Sequence, residues 1–71
     1  MPTPVNAPMV GKILRVETKV GDHINEDDTL LVMEAMKMEI EIVAPETGTI
    51  TAINVVPGDS VNPSTVLAVI E

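Results

Sequence analysis

The sequence predicts a single all-β domain, a small barrel or sandwich. Two observations carry that expectation, an internal repeat and short runs rich in Val, Ile and Thr between turn signals; a total absence of Cys, Phe, Tyr and Trp limits what the core can be made of. A chain of 71 residues has room for one core, since at this size only about 60% of the unfolded surface is buried. Residues 1–71 are therefore read as one domain. Without disulfides or thiolate metal sites as staples, packing of Ile, Val, Leu, Met and Ala must hold it together.

The repeat is read directly. Residues 7–34 lie over residues 44–71 without a gap at an offset of 37, with ten identities in 28 positions, and the two copies extend to 1–34 and 38–71. The identities include Gly11/Gly48, Gly21/Gly58 and Asp22/Asp59. Such turn residues have specific backbone needs, so their coincidence points to two copies of one structural unit.

Each copy reads as the same order of elements. A strand follows the first glycine, Ile13 to Glu17 in one copy and Ile50 to Val55 in the other; a Gly-Asp turn leads to a short extended piece around Ile24 or Val61. A polar bend at Asn25 or Asn62 then opens the second long strand. The alternation of β-branched runs with turns at short spacing is that of an all-β barrel or sandwich. Two copies related by a pseudo-twofold axis give two small sheets over one aliphatic core. The six prolines are expected at ends and bends, where a missing N–H does little harm.

Residues 30–43 test the strand reading. Leu, Met, Glu, Ala and Lys favour helix, and Leu31, Ala35, Met38 and Ile42 have helical spacing. The repeat argues otherwise, because its other copy, VLAVIE at 66–71, is β-branched and MEIEIV alternates with period two. Folded as a hairpin with Met36 and Lys37 at the turn, the segment sets Ala35 opposite Met38, Met33 opposite Ile40 and Leu31 opposite Ile42. That register makes one face wholly apolar, and a slip of one residue mixes it with glutamates.

The same register breaks two local rules. Glu34 faces Glu39, a like-charge pair that destabilises by up to about 1 kcal/mol. Two-residue hairpin turns need φ > 0 and favour Asn-Gly or Asp-Gly, yet the turn residues are Met36 and Lys37. Rules broken without structural gain mark a functional site. Lys37 is thus expected at a hairpin tip as an isolated amine with acidic neighbours.

Composition excludes other classes. Eleven acidic against four basic residues give a net charge of -7, which repels a phosphate backbone, and no aromatic is present to stack on a base. No apolar run approaches the roughly 20 residues of a membrane span, and Met-Pro-Thr-Pro-Val-Asn lacks the basic and apolar regions of a secretory signal. A cytoplasmic location is expected. No metal site is expected: His23 has no second His or Cys beside it, and Glu26, Asp27 and Asp28 lack the spacing and glycine of a calcium loop. Ser60 and Ser64 have no His-acid partner set, so no catalytic residue is assigned.

The tip carries a family resemblance. EAMKME, Glu34 to Glu39, resembles the attachment motif of biotinyl carrier domains, in which biotin is joined by an amide to the lysine between two methionines; APMVG at 7–11, VGD at 20–22 and APETG at 44–48 are also similar. The resemblance covers essentially the whole chain. It implies a flattened β-barrel of two four-stranded antiparallel sheets with pseudo-twofold symmetry, a barrel-sandwich hybrid. One departure is length: the chain has no inserted thumb between the second and third strands, such as some bacterial acetyl-CoA carboxylase carriers have, and this sets it apart from that subgroup. The resemblance also implies a non-catalytic carrier with biotin on Lys37 and an attachment motif of Glu34, Ala35, Met36, Met38 and Glu39. The implied partners are biotin protein ligase, biotin carboxylase, and a carboxyltransferase or decarboxylase subunit. A lipoyl carrier is the alternative on the same fold, but lipoyl domains typically show Asp-Lys-Ala at this turn where this chain has Met-Lys-Met.

Expectations for individual side chains follow. Met36 is read as exposed beside the lysine and Met38 as partly core. Lys12 and Lys19 are read as solvated charges. Because the second copy stops at Glu71, counterpart of Glu34, both chain ends are expected at the end of the domain remote from Lys37.

Overall fold

The computed structural model describes residues 1–71 and contains eight strands and no helix. They are β1 (Thr3–Asn6), β2 (Gly11–Val16), β3 (His23–Ile24), β4 (Thr29–Ala35), β5 (Met38–Val43), β6 (Gly48–Ile53), β7 (Ser60–Val61) and β8 (Val66–Ile70). Two four-stranded antiparallel sheets form, one in the order β1-β8-β6-β3 and the other in the order β5-β4-β2-β7. Shifting each strand by 37 residues converts one order into the other. The fold class read from the sequence is the one observed.

Packing follows the same offset. The buried residues include the pairs Val5/Ile42, Ala7/Ala44, Ile13/Ile50, Ile24/Val61, Leu30/Leu67 and Met33/Ile70. Each sheet turns its alternate residues inward, and all twelve belong to one apolar cluster that fills the sandwich. No polar or charged side chain is buried, so nothing in this core requires an internal polar partner.

The two Gly-Asp turns are built alike. Gly21 and Gly58 have φ of 98° and 97°, a region glycine enters without steric cost. The Asp22 carboxylate accepts from the Lys19 N–H at 3.0 Å, and the Asp59 carboxylate accepts from the Val56 N–H at 3.0 Å. Repetition of glycine and aspartate together thus reflects one turn made twice.

One strand was not legible as such. Pro4, expected like the other prolines at an end or bend, lies inside β1. The strand survives because β1 is an edge, paired only with β8, where a proline removes no ladder bond that the sheet needs. The repeat held the clue: subtracting 37 from Ile40–Val43 of β5 lands on Thr3–Asn6.

The path of the chain sets the two ends of the sandwich apart. Gly11 begins β2 beside the β4–β5 hairpin, with Lys12 opposite Glu34. β2 runs away from the hairpin to a turn in which Gly21 and Asp22 bond Ile50. There β6 begins, and Thr49 exchanges backbone bonds with Glu71 while Thr3 lies opposite Ile70. Thr3 and Glu71 are therefore at the end remote from Lys37.

Candidate functional site

The β4–β5 hairpin forms in the register that the apolar pattern required. Leu31 pairs with Ile42, Met33 with Ile40, Glu34 with Glu39 and Ala35 with Met38, leaving Met36 and Lys37 as the two-residue turn. Both turn residues have positive φ, 53° and 62°, as a type I′ turn demands. For residues with a Cβ this region costs roughly 1–2 kcal/mol each, so the tip is strained and the strands must hold it.

What holds it is packing below the turn. Leu31, Met33 and Ala35 are buried, and Gly11 lies against Met33 and Ala35. A Cβ on Gly11 would run into the Glu34 carbonyl and the Met33 Cε, and would sit 3.2 Å from the Ala35 Cβ. Glycine at this position lets β2 close on the hairpin to within backbone contact. Its repeat partner Gly48 stands in the same relation to Ile70 and Glu71.

The expected tip residues divide cleanly. Ala35 is buried, whereas Glu34, Met36, Lys37, Met38 and Glu39 are exposed. Met36 is 83% exposed, as read from sequence, but Met38 is 66% exposed and not partly core. The reason is its place at the end of the hairpin. Its cross-strand neighbour is the small Ala35, already covered by Gly11, so the inner face has run out before Met38 is reached.

Electrostatics at the tip depend on a residue that sequence reasoning missed. Arg15 donates from Nε to Glu17 at 3.1 Å and from Nη1 to Glu39 at 3.4 Å. The hydrogen bond to Glu17 and, after a smaller opposing desolvation, that to Glu39 hold the guanidinium pKa above its ordinary value. Lys12, also on β2, lies opposite Glu34 on β4. The like-charged pair Glu34/Glu39 is thus flanked by two cations from β2. Both ion pairs in the molecule belong to Arg15, and Lys37 takes part in neither.

The site is a projecting tip and not a cleft. The molecule's groove, about 480 Å³, lies between the edge strands β1 and β5, and none of Glu34 to Glu39 lines it. Such a tip does one thing well chemically: it offers a solvent-facing primary amine to another protein's active site.

Comparison with known proteins agrees with this geometry. The family profile described as "Biotin-requiring enzyme" matches residues 3–70, and the chain belongs to this biotin/lipoyl family. It is 54% identical over 56 residues to a biotin carboxyl carrier protein of Streptococcus mutans, covering 79% of this chain and 43% of that one. It is 45% identical over 60 residues to the dihydrolipoyllysine-residue acetyltransferase component of the pyruvate dehydrogenase complex of Mycoplasma genitalium, covering 84% of this chain and 16% of that one. The crystal structure of Kluyveromyces lactis urea carboxylase contains a similar unit, with a TM-score of 0.94 and 28% identity over 100% of this chain and 6% of that one. The chain spans less than half the length of each of these relatives.

Proposed function

We propose that this chain is a biotin carboxyl carrier domain in which Lys37 is the acceptor of biotin. The carrying observation is the tip itself: a strained type I′ turn that spends two unfavourable residues to project one unpaired amine between two exposed methionines. The residues fit the group. Amide formation needs an amine that another enzyme can reach, and Lys37 is exposed, free of ion pairs and remote from the chain ends.

In the acylation, the Nζ lone pair forms a bond to the activated carbonyl carbon of biotin. The adenylate leaving group departs from that carbon, and the amine proton passes to solvent. When bound, biotin supplies a ureido nitrogen that accepts and releases a carboxyl group. The chain's own part is to orient the tip, keep the lysine accessible and travel between partner sites. A tether raises the effective concentration of the group at each site. Glu34, Met36, Met38 and Glu39 are the exposed surroundings by which partners recognise the acceptor, Ala35 packs beneath them to hold the turn, and no residue of the chain acts as a catalyst.

The partners are a biotin protein ligase, a biotin carboxylase, and a carboxyltransferase or decarboxylase subunit, in the cytoplasm. The names of the carrier protein of S. mutans and the carboxylase of K. lactis support this assignment. The acetyltransferase relative supports the lipoyl alternative, against which stands Met-Lys-Met at the turn. The test is transfer of label. The ligase-treated domain, incubated with a biotin carboxylase, ATP and labelled bicarbonate, acquires acid-labile label. Attachment of lipoate in place of biotin by a cell expressing both ligases contradicts the proposal.

A further inference from the structure

The two ends of the sandwich share one architecture but differ in what they expose. Seven large apolar residues are exposed, and four of them lie at the Lys37 end: Val10, Met36, Met38 and Val56. Val10 precedes Gly11, which packs against Ala35 at the base of the turn. Val56 opens a turn that is tied to β2 two residues further in, with the Gly58 N–H donating to Ile13 at 2.8 Å and the Ile13 N–H donating to Asp59 at 2.9 Å. Three separate segments thus bring apolar side chains to the end that carries the amine.

The pseudo-twofold provides an internal control. Shifted by 37, Val10 corresponds to Thr47 and Val56 to Lys19, both exposed at the remote end. The same backbone therefore accepts polar residues at these positions. The Thr47 hydroxyl accepts from the Glu26 N–H at 3.0 Å; the counterpart of Glu26 is Pro63, which has no N–H to satisfy. That removes a reason for threonine at position 10, but it supplies none for a valine left 72% exposed. Exposed apolar side chains that three segments bring to the end carrying the reactive amine offer a contact surface.

We infer, on the reading of Lys37 as the biotin acceptor, that Val10 and Val56 complete an apolar collar with Met36 and Met38, and that the biotin ligase closes on this collar. An enzyme that engulfs the Lys37 amine must cover the tip and meets these side chains as it does so. The rim of the ligase site is accordingly apolar. Val10 and Val56 act as recognition residues and touch no reacting atom.

The experiment compares collar variants with a matched site. Val20 is 60% exposed, against 61% for Val56, and lies in the turn at the remote end. Ligase kinetics with biotin and ATP are measured on the wild type, Val10→Thr, Val56→Lys and the double variant, beside Val20→Thr and Val20→Lys. Val10→Ala and Val56→Ala truncate the same contacts without adding polarity, and urea midpoints check folding. The collar variants each raise KM about three- to tenfold at unchanged kcat, as loss of a buried apolar contact does, while the Val20 variants match wild type. A labelled wild type with collar variants no worse than the Val20 variants overturns the collar and leaves Lys37 as the acceptor. A wild type that the ligase does not label overturns both.

Discussion

Arg15 reaches from β2 across the central strand β4 to Glu39 on β5, its Nη1 standing 3.4 Å from the carboxylate. Between them lies Val32, whose strand partners are Arg15 and Glu41 and which is 1% exposed although it stands outside the inner apolar cluster. One arginine therefore covers an outer-face valine with its stem and answers the Glu34/Glu39 repulsion with its head.

Arg15→Ala is expected to lower the urea midpoint, and Arg15→Lys to lower it less, because lysine keeps the stem but lacks the fork that meets two carboxylates. Part of the loss is electrostatic and screened by salt. In the Arg15→Ala background, Glu39→Gln is expected to restore the electrostatic part of that loss, since it removes the like-charge pair with Glu34. Denaturation at two ionic strengths checks both statements.

The tip is expected to be a site where function was kept at the expense of stability. Replacing Met36-Lys37 by Asn-Gly supplies residues suited to positive φ at both positions and should raise stability by about 1–2 kcal/mol. The same change removes the amine and abolishes labelling by the ligase. A urea titration with a labelling assay on one sample reads both effects.

Much of this was legible in the sequence because two signals reinforced each other. The offset of 37 revealed the pseudo-twofold that relates the two sheets, and the apolar alternation of residues 31–42 fixed the hairpin register down to Glu34 opposite Glu39. What escaped reading depends on three-dimensional proximity. Arg15 lies 24 residues from Glu39 with no local signal linking them. The exposure of Met38 depends on where the inner face ends, and β1 was masked by Pro4, whose tolerance depends on its being at an edge.

Gly11→Ala is expected to destabilise by about 1–3 kcal/mol through overpacking, because the added methyl meets the Glu34 carbonyl and Met33. Gly21→Ala meets no atom within 4 Å and strains only its backbone at φ +98°, so it is expected to lose about 1–2 kcal/mol. The two differ in location of effect: amide shifts in Gly11→Ala spread through Met33 to Met38, and those in Gly21→Ala stay in residues 19–24.

Leu30 and Leu67 occupy equivalent places in the two sheets and are 1% and 0% exposed. Leu30→Ala and Leu67→Ala are each expected to cost about 2–5 kcal/mol, with similar values for the pair because their surroundings repeat. Calorimetric midpoints of the two variants measure that equality.

The most direct test of Lys37 as the acceptor is peptide mapping of the chain after treatment with biotin ligase, biotin and ATP, beside a Lys37→Arg variant. The account predicts a single added biotin on the peptide containing Lys37 and none on the variant. Biotin found on Lys12 or Lys19, or retained when Lys37 is replaced, would contradict it.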